Sequence, residues 1–529
     1  MLDTLLSHHL AVRPGHRRER VVLVGIERDI FHLLRLLPRL RPLSVLSNAH
    51  GNLTVCGGAA LSFHHLTRRL FGRILGRIDQ GGRTATRVWQ DGEGQMARSD
   101  CFRGSTSRRD FLKLSVAGAA GATVGADWRL RKASAKPAQI TFLRESSYVK
   151  EFDDYFKNVL IPRYQQDTGI KLVYEIVAAG GSAVPRLVSI VESKAPVDAG
   201  WVQQEWLYRE ALLDVSDIAE EVGKQQGGWY PEIKSLSVWG GKWKSVPFGN
   251  IGQTMVYRRD WFDAAGIHTF PDTWEEFLEA GTKLKKAGHP YGMSMGHGFA
   301  DNNSWLLPLL WGFGGQVVAK DGKTITLDSA ETARAVDYVR KLYKDACIDD
   351  CVGWLDPANN KAFLTSQISC TNNAMSILIS AKRDLPDMGK VIDHALNPKG
   401  PKGRFHSLVP VTHGIFNHTP DPEAAKHFLR WLMDPKQVAA WYRSAFMYHA
   451  PFLHAYDRDP EWDKEPRFKP DQRVLETGKL VSWPAPADRK AGEVVNKWIV
   501  IDMFAKACTG VPTKAAIADA ATGLKQIYG

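Results

Sequence analysis

The chain has 529 residues, 44% of them hydrophobic and 24% charged, with a formal net charge of +12. That length allows more than one domain, and the charge is unevenly spread. Residues 1–95 hold 14 arginines, no lysine and 7 acidic groups, residues 96–135 hold 8 basic and 3 acidic groups, and residues 136–529 carry 47 of each sign. The body of the chain is therefore neutral, which gives no ground for a nucleic-acid partner.

In chain order, the apolar run Val21–Val45 is broken by Glu27, Arg28, Asp29, Arg35, Arg39 and Arg41, so it does not read as a bilayer span. Residues 1–95 read as a mis-assigned or disordered extension, with translation expected to start at Met96. The competing reading is an Arg-rich arm for nucleic acid or membrane. Residues 96–135 then form an address. Ser107-Arg108-Arg109-Asp110-Phe111-Leu112-Lys113 has the twin-arginine form, with Arg108 and Arg109 as its signal pair, and an uncharged Ala/Gly-rich run Leu114–Ala126 follows. Ala133-Ser134-Ala135 suits cleavage, giving a mature chain from about Lys136. No cysteine follows the apolar run, so the expected destination is the periplasm without a lipid anchor.

The mature part alternates strand and helix. Gln139–Leu143 reads as a first strand, and Phe152, Phe156, Leu160 and Tyr164 recur at helical spacing until Thr168-Gly169. Ile170–Val177 reads as a second strand, Val184–Val191 as helix, and Val197–Trp201 as a third strand. Such alternation predicts a parallel sheet covered by helices. Further on, Thr273 and Glu276 form a capping box, with Leu278, Ala280, Leu284 and Ala287 on the apolar side of that helix. Tyr291–Met295 reads as the next strand. Ala330–Tyr343 and Glu423–Met433 read as amphipathic helices, the latter with Ala424, Ala425, Phe428, Leu429 and Leu432 inward. Two α/β lobes suit this length better than one sheet. No period of solenoid length recurs. Cys347 and Cys351 lie one helical turn apart, a poor spacing for a cross-link, and a lone C-x3-C is a weak metal signal; no metal and no cofactor is expected.

A resemblance rests on residues in collinear order. Gly240–Phe248 precedes Met255-Val256-Tyr257-Arg258-Arg259-Asp260-Trp261-Phe262, then come Phe270-Pro271-Asp272-Thr273-Trp274-Glu275-Glu276-Phe277, Glu423–Leu432 and Gly510-Val511-Pro512. Over residues 137–529 the order resembles the family 1 extracellular solute-binding proteins, which include maltose-binding protein. Val256-Tyr257-Arg258 departs from the Tyr-Tyr-Asn or similar trio common there. The resemblance implies an α/β, two-lobed periplasmic-binding-protein fold, each lobe a mainly parallel sheet flanked by helices. The discontinuous lobes would be joined by hinge crossovers near Gly252–Met255, His394–Pro398 and Tyr448–Phe452. The first lobe would take residues 136–252 and 399–449, and the second 253–398 and 450–529. It implies a small-molecule ligand, carbohydrate first, captured by a monomer. Delivery would be to the permease of an ABC importer whose ATPase is a separate subunit. Polyol, glycerol phosphate and polyamine are the alternatives.

Sugar recognition calls for aromatic faces beside fixed polar groups. Strand-end loops offer Arg144, Glu145, Ser146 and Tyr148, then Gln203, Gln204, Glu205 and Trp206; each can be a ligand contact or a turn and packing residue. Asn250 precedes the first crossing and can bond hydroxyls or hold a turn. Asp301–Asn303 precedes Trp305, expected to stack on ligand from the second lobe. Asn372 follows a strand over Ile368–Thr371, and Trp483 sits beside Pro484 as a second stacking residue. One enzyme-like motif competes: Gly292-Met293-Ser294-Met295-Gly296 matches G-x-S-x-G, with His297 adjacent. A hydrolase elbow needs a helix directly after its serine, and Gly296–Phe299 continues as loop.

Overall fold

The computed structural model describes residues 22–23, 44–47, 53–56 and 139–529. Val22–Leu23, Ser44–Ser47 and Leu53–Cys56 make a small antiparallel sheet of their own, with Leu53–Cys56 in the middle. The remainder of the 1–95 extension and the 96–135 leader, with Arg108 and Arg109, lie outside the described residues.

Two sheets organise residues 139–529. In chain order β1 (Gln139–Glu145), β2 (Lys171–Val177), β3 (Ala199–Trp201) and β4 (Val246–Ile251) precede β5 (Thr254–Arg258), β6 (Cys370–Asn373) and β7 (Ile392–Ala395), and β8 (Pro410–Ile415) and β9 (His449–Pro451) follow. The first sheet runs β9–β4–β8–β3–β1–β2. β1 pairs in parallel with β2 and β3, whereas β8 is antiparallel to β3 and β4, and β9 to β4. Hence β1 to β4 all point one way, and the sheet is mainly parallel. Strand β1, paired on both edges, is apolar on both faces: Ile140 and Phe142 enter one core, Leu143 the other with Leu187 and Ile190, as a strand covered on both sides requires.

The second sheet, β6–β5–β7, is antiparallel throughout. The parallel order expected for both lobes holds in the first only. The second sheet's middle strand, β5, follows the first sheet directly, and the expected strand Tyr291–Met295 joins no ladder beyond a bridge from Tyr291 to Cys347. Its backbone is instead satisfied singly, Gly292 N–H by Cys370 and Met295 N–H by Cys351. Only Gly252 and Gln253 separate β4 from β5, so the first crossing is short. A Cβ at Gly252 would stand 2.6 Å from Asp471 Oδ1, which leaves room only for glycine.

Sequence signals account for most helices. Phe152, Phe156, Leu160 and Tyr164 form one buried stripe across Lys150–Thr168, which contains a π turn at Phe156–Leu160 and stops at Gly169 in the left-handed region. Thr273 and Glu276 form the full capping box of Trp274–Lys286. That helix buries Ala280 and Leu284 as expected, together with Trp274, Phe277 and Gly281, while Leu278 is half-buried against the same core and Ala287 is exposed. Pro422–Leu432 buries Ala425, Phe428, Leu429 and Leu432, with Ala424 half-buried.

One core surrounds the first sheet, and another gathers Met255, Phe277, Trp305, Trp311 and Phe504. Phe452, Leu453, Tyr456, Trp462 and Phe468 still belong to the first core, and Val494, Val500 and Phe504 belong to the second. At the expected third crossing, β9 pairs with β4 at the edge of the first sheet, and the first core also takes in Val256, Ile377 and Ile392 from the expected second lobe. Among the described residues no helix is long and apolar enough to cross a membrane. Cys347, Cys351, Cys370 and Cys508 are all free.

Candidate functional site

Two carboxylates shape the facing walls between the lobes. At the end of β1, Glu145 points away from the first core and accepts the backbone N–H groups of Gly180 and Gly181 (2.9 and 3.1 Å) and of Ala183 (3.0 Å). It thereby fixes the turn that starts helix Ala183–Ser193, where the N-terminal N–H groups need acceptors. On the opposite wall Asp356 accepts the N–H groups of Phe299, Ala300 and Asp301, the shortest at 3.0 Å. Beside it Asp301 takes Asn359 Nδ2 at 2.8 Å and Asn373 Nδ2 at 3.1 Å. Burial, reinforced by the charge of Asp356, holds the Asp301 carboxyl well above the usual carboxylate range. Burial also raises Glu145, opposed by its three backbone donors.

Between these walls lie two adjoining cavities. The first, of about 50 Å³, is lined by Arg144, Tyr148 and Trp201 on one side and by Phe299, Asp301 and Asn373 on the other. The second, of about 50 Å³, lies between Gln204, Trp206 and Thr412 and the facing Ala300, Asn303 and Ser304. Gln203, Phe299, Ala300 and Val409 line both. Gln203 is 2% exposed, and neither atom of its side-chain amide has a hydrogen-bond partner. Gln204 is held at φ 51, a left-handed conformation that a residue with a Cβ adopts only where its surroundings impose it.

The sequence-derived candidates divide. Arg144, Glu145, Gln203, Gln204 and Trp206 all line these cavities. The other four do not. Trp305 is 1% exposed, donates its indole N–H to the carbonyl of Ser294 at 2.8 Å and packs in the second core, so the expectation that it stacks on ligand is corrected. It fell on the inward face because the whole helix Asn303–Phe313 is buried. Trp483 packs against Trp311 and Phe405, ring centroids 5.7 and 5.3 Å away, and lines neither cavity. Asn250 spends its Oδ1 on Val409 N–H inside the first sheet. Asn372 lies within β6 and donates to Asn397 Oδ1 at 3.0 Å. Neither lines a cavity, although Asn250 Nδ2 and Asn372 Oδ1 are buried without a partner. Asn373, offered with Asn372 as a pair after the expected strand, does line the first cavity, and the residues that sequence reading missed are Phe299, Asp356, Gln253 and the Gly180-Gly181 pair. Of these only the double glycine carried a local signal, a turn next to a helix start.

The walls offer amides, carboxyls, hydroxyls and aromatic faces, a set suited to a polar, ring-bearing solute. They do not assemble an esterase. Ser294 is 2% exposed and its Oγ has no partner, while His297 bonds Asp502 at 2.7 Å and stacks on Trp498. No helix follows the serine until Asn303.

The family model described as bacterial extracellular solute-binding protein matches residues 146–439. Among curated proteins, a binding protein of Brucella abortus (strain 2308) is 24% identical over 224 residues, 42% of this chain and 53% of its own length. The chain thus spans about half the length of the curated relatives it matches. Among solved structures, maltose-bound MalE3 of T. maritima aligns with a TM-score of 0.64 at 20% identity, covering 74% of this chain and 100% of that one. A sugar transporter of Arthrobacter chlorophenolicus A6 with bound laminaribiose gives 0.63 at 18%, covering 74% and 99%. An ABC transporter solute-binding protein of Agrobacterium radiobacter K84 in complex with ribitol gives 0.61 at 18%, covering 74% and 100%. These likenesses show the two-lobed fold. None of the three is described as an enzyme. With more than half its length matched, the chain belongs to the bacterial extracellular solute-binding protein family.

Proposed function

We propose that the chain is the solute-capturing subunit of an ABC importer, holding a carbohydrate or polyol between its lobes and delivering it to a permease without catalysis of its own. The observation that carries this reading is Gln203, whose buried amide, beside the already committed Glu145, has no hydrogen-bond partner within 3.5 Å and which lines both cavities. An unpartnered buried amide costs stability that a ligand's hydroxyl groups would return. Trp201 and Tyr148 supply aromatic faces next to it. The sugar and polyol ligands of the structural neighbours named above agree with this choice. The protein works as a monomer, and the ATPase that powers transport is a separate subunit. Export follows the twin-arginine route, with Arg108 and Arg109 as its signal and the mature chain starting near Lys136.

Calorimetric titration of the exported protein with mono- and disaccharides and polyols tests the reading. The expected result is saturable one-to-one binding without turnover. Absence of binding across the panel, or ester or glycoside turnover that Ser294→Ala abolishes, overturns it. For the route, the double change of Arg108 and Arg109 to Lys should hold the precursor in the cytoplasm, and normal export of that variant contradicts it.

A further inference from the structure

Arg144 is the charged side chain of the first cavity with no polar partner of its own. It is 1% exposed, lines the cavity, and none of Nε, Nη1 and Nη2 has a hydrogen-bond acceptor among the described residues. Its guanidinium carbon lies 4.5 Å from the ring centroid of Phe152, 4.9 Å from that of Trp441 and 5.7 Å from that of Trp201. Aromatic faces stabilise a cation from above and below the guanidinium plane. The five N–H donors lie in that plane, and rings give them no acceptor.

The neighbouring acids do not fill the gap. Glu145 is committed to three backbone N–H groups. Asp153 spends Oδ2 on Ser147 N–H, and its Oδ1 is itself buried without a partner. Across the cavity, Asp356 and Asp301 are held by backbone and asparagine donors. Burial and the Arg144 charge push His413 and His449 well below the usual imidazole range, so both stand neutral beside it. Asp153 and Glu145 lie near enough to feel its charge, but a buried guanidinium whose N–H groups have no acceptor is costly. Such a group fits a site that a ligand's charge completes.

We propose that the solute taken between the lobes carries an oxyanion, a carboxylate or phosphate on a polyhydroxylated body, and that Arg144 is the residue that recognises it. This rests on the cleft being the solute site, as read above, and specifies the ligand class. Two in-plane N–H groups of one guanidinium match two oxygens of such an anion. The same charge disfavours a polyamine, which would bring a second cation to an unpaired one.

The test pairs each acid with its neutral parent: glucose with glucuronate and glucose 6-phosphate, and galactose with galacturonate, titrated into the full protein, Arg144→Met and Arg144→Lys. An acid should bind about 10- to 100-fold more tightly than its parent, the range for a charge-assisted bond. Preference for the uronate or for the phosphate identifies the oxyanion. Arg144→Met should erase the preference while the ligand-free melting temperature holds or rises, because an unpaired buried charge has gone. Arg144→Lys should keep part of it. A neutral sugar bound as tightly as its acid overturns the inference and leaves the solute-binding reading intact. So does an acid preference that survives in Arg144→Met. Binding of no member of any pair overturns both.

Discussion

Gly181 and Phe299 meet across the cleft, and a Cβ at Gly181 would stand 2.9 Å from the Cβ of Phe299. Each belongs to a loop pinned by a buried carboxylate on its own wall, Glu145 for the first and Asp356 for the second. Gly181 also sits at φ 88, where a side chain is strained. Gly181→Ala should therefore keep the lobes from reaching this approach. The expected outcome is roughly 10-fold weaker solute binding, for about 1–3 kcal/mol of strain and clash, with a smaller solute-induced fall in radius of gyration by small-angle scattering. Unchanged affinity with full compaction would show that this contact is not part of the bound state.

Its burial in the second core predicts that Trp305 contributes to folding rather than to recognition. Truncating a buried tryptophan costs about 3–5 kcal/mol, and Trp305→Ala also strips the Ser294 carbonyl of its indole donor. Calorimetric melting of the ligand-free variant should show that loss, with affinity per folded molecule within a small factor of the parent. A large loss of affinity with an unchanged melting temperature would return Trp305 to the binding site.

How far the sequence revealed this depends on whether a signal is local. The Phe152–Tyr164 stripe and the Thr273–Glu276 capping box are contacts within one helix, and both formed as read. The loops after β1 and β3 are strand ends, and their residues line the cavities as strand-end residues of open sheets do. Trp305, Asn250 and Asn372 line neither cavity, for a shared reason. Each is a residue type that binds sugars and also a type that knits buried structure, and only the tertiary fold decides which surface it meets. Asp356 was invisible for the converse reason: its three backbone donors come from residues 55 to 57 positions away. The second sheet misled because its strands pair as antiparallel neighbours instead of joining a parallel β–α–β series.

Glu205 gives a pH-dependent signature. Burial pushes its carboxyl up to about 7, against the lowering effect of neighbouring hydroxyls and Arg209. The folded protein therefore holds a proton that the unfolded chain releases near pH 4.3. Folding stability falls as pH rises from there to about 7, by about 4 kcal/mol at most, and the penalty stays in full above it. Glu205→Gln removes the ionisation, so its melting temperature relative to the parent should be higher at pH 8 than at pH 5. A difference independent of pH, or one larger at pH 5, would contradict the assignment.

The central claim is that one solute is held by both walls at once, and titration of a variant on each wall tests it most directly. Gln203→Ala removes an amide that makes no side-chain hydrogen bond in the protein, and Phe299→Ala removes a ring that lines both cavities. With a sugar, polyol or sugar acid that binds the parent, each change should weaken binding by at least about 10-fold, with ligand-free melting little altered for Gln203→Ala. Parental affinity in both variants would contradict capture between the lobes.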